Sequence, residues 1–356
     1  MAVTIYDIAE QAGVSIATVS RVFSGRARVA DATRERVFAV AEALNYEPNV
    51  SARSLARQST RVVSAVVPML TSYFFMEVIR GVQDRLSEID YDLLVYASRS
   101  PEEVDGQLAR AMQKGRADGL LLCSTPIDGE RALSLQASQL PVVLVDSVHA
   151  QFDSVSVDNH AGGYEATQHL LGRGHTRVAM IAPNPMSVPG VARRRGYEAA
   201  LADAGLGLDP ALVVSSEDTE QHGYTREAGY AAMQRLLALP SPPEAVFAAS
   251  DVQALGALRA ARDAGLRVPD DLAMIGFDDI RTSAYVGLST LSQPMYDMGK
   301  IAIDKLIERI GAPDNPVSHT TFSARLIRRE TSGHVDAPRP PTAPATARPD
   351  PTVPAS

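Results

Sequence analysis

Apolar residues recur at helical spacing through the first 44 residues, then give way to short β-rich runs alternating with amphipathic segments. Ile5, Ile8, Ala9 and Ala12 share one helical face behind Thr4, and Gly13 offers the left-handed stop that such a helix needs. Thr4 with Asp7 three residues on makes a capping box, where the carboxylate also suits the positive helix end. Ser15 is placed to cap a second helix, residues 16–23, with Val19 and Val22 or Phe23 facing inward. Asp31 is expected to cap a third, with Val37, Val40, Ala41 and Leu44 at core spacing, and Asn45-Tyr46-Glu47-Pro48 ends it. Ala9, Gly13 and Val19 meet the three demands of a helix-turn-helix: a close crossing, a tight turn and an apolar lock on the second helix.

From Arg61 onward the pattern changes. Strands are expected at 62–68, 92–96, 119–124 and 141–146, separated by helices near 74–89, 102–114 and 129–139. The alternation restarts after 154–158, with strands at 177–182, 212–215, 245–249 and 272–278 between helices near 162–171, 192–204, 227–239 and 252–264. A helix near 295–310 and one strand near 319–326 complete it. Such alternation predicts parallel sheets covered on both faces, and two successive units of similar size predict two lobes with a cleft between them. The expected organisation is therefore an all-α headpiece over 1–47 and a hinge over 48–60, followed by a two-lobed α/β domain over 61–333. Its first lobe takes about 61–160 plus 293–320, and its second about 161–290 plus 321–333. Residues 334–356 hold seven Pro and five Ala without apolar periodicity, which predicts a disordered tail.

The joint at 49–57, Asn-Val-Ser-Ala-Arg-Ser-Leu-Ala-Arg, contains good helix formers but is only nine residues long. Isolated helices below about 12–15 residues are marginal in water, so this one needs an external support. Charge changes sign there. The chain of 356 residues carries −8 overall, yet residues 1–61 hold eight Arg against six acids, a net +2, and the remainder carries −10. That balance permits nucleic-acid binding by the first module without demonstrating it. No run of about 18 apolar residues occurs, and the N-terminus lacks a basic-then-apolar leader, so a cytoplasmic protein without membrane contact is expected. The single cysteine, Cys123, lies in an apolar run and reads as a buried small residue.

The outer face of the second helix carries Ile16, Ala17, Ser20 and Arg21. Arginine can bond a guanine edge bidentately, small apolar groups can meet a thymine methyl, and Ser15, Thr18 or Ser20 can hold phosphates. The plain alternative is a small helical hairpin with a solvated arginine. In open α/β sheets ligands collect beyond the carboxyl ends of strands. Asp146, Asp158 and Asp278 each end a strand there, and Arg193 opens the helix after Ile181. Carboxylates facing an arginine, with Tyr73, Phe74 and Tyr224 as aromatic platforms, suit a polyhydroxylated or heteroaromatic molecule. Helix capping or a turn is the plain alternative for each Asp. Enzyme signatures are missing: there is no Walker loop, no Gly-x-Ser-x-Gly, no Cys-x-x-Cys and no His-Glu-x-x-His. The seven histidines show no ligand spacing, and neither a metal nor a cofactor is implied.

These residues resemble the LacI/GalR family of transcription regulators over roughly residues 3–333. The likeness is carried by residues 3–22, by Leu44-Asn-Tyr-Glu-Pro-Asn49 and by Ala52-Arg-Ser-Leu-Ala56. Val157-Asp-Asn159, Gly196-Tyr197, residues 265–271 and Ile275-Gly-Phe-Asp-Asp279 add to it. The resemblance implies base-reading roles for Ile16, Ala17 and Arg21, and backbone contacts from Ser15, Thr18 and Ser20. It completes the DNA-contacting set with Thr4, Tyr6, Asn49, Ala52 and Arg53, and makes Leu55 a wedge into a minor-groove step, where unstacking is offset by contacts to bent DNA. It implies an effector site at Asp146, Asp158, Arg193 and Asp278, with Tyr73, Phe74, Tyr224 and Ser250 nearby.

Two departures stand out. Ala249-Ser250-Asp251 replaces the usual Asn before Asp, which shortens a hydrogen-bonding arm, and Ser72-Tyr73 stands where Asn-Pro is usual before the two Phe. The implied protein is a homodimeric repressor on a near-palindromic operator, controlled by a sugar-like effector. A purine- or nucleoside-responsive regulator and, in another class, a solute-binding protein are the alternatives.

Overall fold

The computed structural model describes residues 3–24, 29–44, 46, 59–98, 101–217 and 220–333. The joint at 49–57 and the tail at 334–356 lie outside the described residues, as does most of the stop expected after Leu44.

Three helices, α1 (Ile5–Ala12), α2 (Ile16–Ser24) and α3 (Asp31–Ala43), close around Ile8, Val19 and Val37, which are fully buried. The Asp7 carboxylate accepts both the Thr4 N–H and the Thr4 hydroxyl at 2.7 Å, and Gly13 turns the chain at φ 65°. The start of α3 departs from expectation. Ala30 is the cap residue, while Asp31 is already helical and pairs with Arg34 at 3.0 Å on the surface.

The first lobe follows as β1 (Val62–Pro68), α4 (Tyr73–Glu88), β2 (Asp92–Ser98), α5 (Pro101–Ala111), β3 (Gly119–Cys123), α6 (Gly129–Ser138), β4 (Val142–Val145) and β5 (Asp153–Val157). The second contains α7 (Asn159–Leu171), β6 (Val178–Ala182), α8 (Val188–Asp203), β7 (Val213–Ser215), α9 (Arg226–Leu237), β8 (Ala245–Ala248), α10 (Asp251–Asp263), β9 (Ala273–Ile275) and α11 (Arg281–Tyr285). The chain closes with β10 (Thr290–Ser292), α12 (Met295–Gly311), β11 (His319–Phe322) and β12 (Arg325–Ile327).

Strand order is β11-β5-β4-β3-β1-β2 in one sheet and β7-β6-β8-β9 in the other, and every pair within these two sheets is parallel. Burial on both faces explains why the strands read as continuous apolar runs. In β1, Val63, Ala65 and Val67 share a core with residues of α4 and α12, whereas Val66 joins Leu108 and Leu135 of α5 and α6. In the second lobe Ile181 and Val246 pack with Met233 and Ala257 of α9 and α10. Met180 and Phe247 pack on the other face with Leu170 and Tyr197 of α7 and α8.

The chain passes between lobes three times: after β5, through β10 into α12, and from β11 to β12. The single strand expected near 319–326 is thus two strands with different partners. β11 extends the first sheet alongside β5, and β12 pairs antiparallel with β10. The alternation Phe322, Ala324, Leu326 runs on unbroken because Ala324 packs against the cores of both lobes, so the pattern hides the change of partner.

Candidate functional site

Two surfaces carry the residues singled out above. On the helical headpiece, packing Val19 and Val22 inward turns the opposite face of α2 to solvent. Ile16 is 42% exposed, Ser15, Ala17 and Arg21 are exposed, and Thr18 and Ser20 are half-buried. The Ser15 hydroxyl accepts the Thr18 N–H at 3.2 Å, and Arg21 Nε donates to the Ala17 carbonyl at 3.1 Å. Thr4 is exposed and Tyr6 is 65% exposed on the first turn of α1. Large apolar side chains left in water on so small a module suit a face that is covered when it works. Asn49, Ala52, Arg53 and Leu55 lie outside the described residues.

Between the lobes lies a cavity of about 410 Å³. The first lobe contributes Met69, Tyr73, Phe74, Ser124 and Asp146 to its wall, and the second contributes Ser187, Arg193, Tyr224, Ser250 and Asp278. Backbone geometry aims several of these groups. Ser124, Asp146 and Asp278 follow their strands with φ of 41°, 57° and 117°, and Asp279 adds a fourth positive value of 58°. Non-glycine residues in this region hold strain of order 1–3 kcal/mol, and such residues cluster at functional sites.

Arg193 is the centre of the floor and is 4% exposed. It reaches that depth because α7 and α8 touch at glycines: a Cβ on Gly163 would stand 2.2 Å from the Arg193 carbonyl oxygen. Its Nε donates to Asn159 Oδ1 at 2.8 Å, its Nη1 to the Ala249 carbonyl at 2.5 Å, and Nη1 lies 3.7 Å from Asp278 Oδ1. The guanidinium also stacks on Phe277, 3.7 Å from the ring centroid. Asp278 in turn accepts Gln293 Nε2 at 2.7 Å. Asp146 accepts the Ser124 hydroxyl at 2.6 Å on Oδ2, and the Asn159 side chain lies against the same carboxyl.

Burial dominates the electrostatics. It pushes the Asp278 carboxyl up to about 7 against the opposing pull of Arg193, and it raises Asp146 as well, against the Ser124 hydrogen bond, Arg193 and Asn159. Behind the floor, Asp251 is pushed up to about 8 by burial and by the charge of Asp278. Its carboxylate accepts Thr290 Oγ1 and Ser283 Oγ, both at 2.6 Å, and the Ile280 N–H at 3.0 Å, so it braces the returning crossover. Tyr224 is pushed up to about 12 by burial, and its hydroxyl lies 2.8 Å from Ser187 Oγ.

Asp158 requires a correction. It is exposed, accepts the Ala161 N–H at 2.8 Å as the cap of α7, and does not line the cavity. A carboxylate at the end of a strand serves a helix cap as well as a ligand, and here the helix start at Asn159 claims it. Tyr73, Phe74, Asp146, Arg193, Tyr224, Ser250 and Asp278 do meet around one cavity. Ser250 also caps α10 through the Gln253 N–H at 3.2 Å. Sequence reasoning missed Ser124, Asn159, Phe277 and Gln293. Asn159 and Phe277 sit inside the quoted motifs at 157–159 and 275–279, which was the available signal. Ser124 and Gln293 carried none.

The plainer reading of the single cysteine holds. Cys123 is buried, with its thiol pushed up to about 12 by burial. His169 is pushed down to about 4 by burial and by nearby Arg173 and Arg328, and its Nε2 accepts from Arg173 Nε at 3.2 Å. Among the described residues no cluster of three or more His, Cys, Asp or Glu could hold a metal, and no helix is long and apolar enough to cross a membrane.

Comparison with known proteins brings both surfaces together. Residues 4–49 match the model of bacterial regulatory proteins of the lacI family, and residues 167–332 match a periplasmic binding protein-like domain. The chain is 35% identical to catabolite control protein A of Priestia megaterium over 308 residues, 85% of this chain and 91% of that one. It is similar to a transcriptional regulator CelR–cellobiose complex, at 33% identity with a TM-score of 0.68 over 92% of this chain and 99% of that one. It also matches the lac repressor dimer bound to operator and the anti-inducer ONPF, at 26% identity with a TM-score of 0.81 over 94% and 100%. A helix-turn-helix headpiece joined to a two-lobed parallel α/β domain, related to regulators along most of its length, is sufficient: the chain belongs to the LacI family of bacterial transcriptional regulators.

Proposed function

We propose that this regulator acts in the cytoplasm as a homodimer that represses transcription, with Ile16, Ala17 and Arg21 reading a near-palindromic operator and a sugar or sugar derivative in the cleft setting operator affinity. The chain is a DNA-binding transcription regulator and not an enzyme. The observation that carries the effector reading is the floor of the cavity, where Arg193, Asp146 and Asp278 are buried together on the wall of one cavity between the lobes. Carboxyls and a guanidinium brought together on the wall of a cavity of this size suit a polyhydroxylated ligand, which they hold by charge-assisted hydrogen bonds. Tyr73, Phe74 and Tyr224 supply ring faces beside it. The related CelR structure holds cellobiose, which supports a carbohydrate for this cleft.

On the DNA side, Ser15, Thr18, Ser20, Thr4 and Tyr6 surround the reading face as backbone contacts. Asn49, Ala52, Arg53 and Leu55 extend the contact through the hinge, which two copies of the chain support on the minor groove. The lac repressor dimer on its operator supports this arrangement.

The test is selection of bound duplexes from a random pool by the full chain, with and without a sugar mixture. The expected result is a palindromic motif whose binding weakens steeply with salt and shifts when sugars are added. No salt-sensitive binding to any duplex would overturn the DNA reading. Thermal stabilisation only by non-carbohydrates would overturn the sugar.

A further inference from the structure

We propose that Asn159 is the positioning residue of the cleft: its one amide holds Arg193 of the second lobe through the oxygen and stands against Asp146 of the first lobe through the nitrogen, keeping the two walls in register. This rests on the effector reading above and deepens it by naming a group that sets the geometry of the site without lining the cavity.

Asn159 stands where the chain first crosses between the lobes. β5 ends at Val157, Asp158 is the cap, and Asn159 is the first residue of α7. β4 and β5 are neighbours in the first sheet, and the Asp146 N–H donates to the Val155 carbonyl at 2.8 Å, so the end of β4 lies beside the start of this crossover. On the other side α7 and α8 meet backbone to backbone: a Cβ on Gly196 would stand 2.1 Å from the His160 carbonyl oxygen. Between these two contacts Asn159 is only 8% exposed.

An amide suits this place because it offers an acceptor and a donor from one plane. Arg193 has only donors, so Asn159 Oδ1 takes its Nε at 2.8 Å and the Nδ2 group falls on the other side. There Nδ2 donates to the Val157 carbonyl at 3.2 Å, and the amide lies against the Asp146 carboxyl. With Nε on Asn159 and Nη1 on the Ala249 carbonyl, two of the three guanidinium nitrogens are held, which fixes the plane and leaves Nη2 for an occupant of the cavity. A carboxylate in place of the amide would keep the bond to Arg193 but set two acids against each other, a conflict that one shared proton relieves. The other titratable groups whose charge Asp146 feels are Asp278, the Cys123 thiol and the Tyr224 hydroxyl, with Asp251 behind Asp278. Asp158 and His160 flank position 159 and are exposed.

The test is thermal unfolding of the full chain without ligand, from pH 6 to pH 8.5, for the wild type, Asn159→Asp, Asp146→Asn and the two combined. Folded Asn159→Asp holds a proton between the two acids that the unfolded chain gives up, so its midpoint falls relative to the wild type as pH rises. The expected extra fall is at least about 4 °C across that range. Adding Asp146→Asn restores a donor opposite the new carboxylate and is expected to remove at least half of it. A single variant that folds only alongside Asp146→Asn supports the inference equally. A midpoint that tracks the wild type at every pH overturns it, and so does a fall that Asp146→Asn leaves in place, since burial of a carboxylate alone would not depend on position 146. Calorimetry with cellobiose is the second arm: Asn159→Asp is expected to lose at least about tenfold more affinity at pH 8.5 than at pH 6, and an equal loss at both would overturn the tie to the cleft. Cellobiose that fails to bind the wild type would count against the carbohydrate reading alone, and the ligand-free unfolding then decides the inference.

Discussion

Replacing Arg193 with methionine isolates the charge at the centre of the cleft, because the new side chain keeps much of the stem and loses every donor. The wild-type guanidinium holds Asn159 Oδ1 at 2.8 Å and the Ala249 carbonyl at 2.5 Å, and it faces Asp278 at 3.7 Å. Leaving a buried acceptor unpaired costs about 1–3 kcal/mol, and removing one member of a buried charge pair about 3–5 kcal/mol. At pH 6 a proton on Asp278 limits the second cost, so a loss of about 3 kcal/mol is expected. The pH dependence follows from the raised carboxyl. Folded Asp278 keeps a proton that the unfolded chain gives up above the ordinary 3.8, so stability falls with rising pH until about pH 7, where this contribution levels off. Without Arg193 the folded value moves higher, and the decline continues past pH 7 at up to about 1.4 kcal/mol per unit. Urea unfolding followed by far-UV circular dichroism at pH 6 and pH 8 measures the difference. A loss below about 1 kcal/mol, or an equal loss at both pH values, would refute the account of the floor.

Three further outcomes are expected. Gly163→Ala should destabilise the second lobe by about 1–3 kcal/mol in the same assay, because the added Cβ meets backbone, at 2.2 Å from the Arg193 carbonyl oxygen, and the helices must part. Arg21→Ala should leave the fold intact by circular dichroism, weaken operator binding by about 1–3 kcal/mol in a mobility-shift assay, and relax selection at one symmetric pair of base positions. Asp118→Asn should lower operator affinity and leave sugar affinity within twofold by calorimetry, since Asp118 accepts Thr60 N, Thr60 Oγ1 and Arg61 N at 2.6, 2.8 and 3.0 Å where the chain enters the first sheet. Against partial burial, the Ser59 hydroxyl and then these Thr60 and Arg61 donors hold the Asp118 carboxyl below its usual range, so the wild-type anchor is expected to weaken in acid.

The parts of this fold legible in the sequence are those written as local pattern. β1 at Val62–Pro68 coincides with its expected span, and the Thr4, Asp7, Gly13 and Val19 signals mark the headpiece helices because capping, turning and core packing each demand a residue type at a fixed offset. Where a residue type serves two purposes, pattern is silent. Asp31 and Asp158 show both sides of this: a carboxylate near a helix start looks alike whether it caps, pairs with an arginine or faces a ligand. The partners that define the cleft floor are further out of reach. Asn159 and Arg193 are separated by 34 positions and meet only because glycines bring α7 and α8 together. Gln293 reaches Asp278 only because the chain has crossed between lobes in between.

How the cleft speaks to the DNA-binding module follows from where each attaches. The linker enters the first lobe at the start of β1, where Asp118 grips residues 59–61, and the effector cavity begins just past the other end of the same strand, at Met69. Seven strand residues at about 3.3 Å each put roughly 23 Å between them, so a ligand cannot touch the linker it controls. β1 itself is a poor transmitter of strain, being buried and paired on both edges by β2 and β3. What the ligand does touch is both lobes at once: Asp146 and Ser124 on one side, Arg193 and Asp278 on the other. A ligand shifts an equilibrium only by its difference in affinity between two states, and the states that differ at this cavity are arrangements of the lobes. The crossover that would bend is braced by Asp251 on Ser283, Thr290 and Ile280, and it carries the positive-φ pair Asp278 and Asp279, with Asp279 tied to Arg329 at 2.7 Å. Because residues 59–61 are held by Asp118 of the first lobe, a change of lobe angle in a dimer is expected to alter the spacing of the two points where the linkers enter.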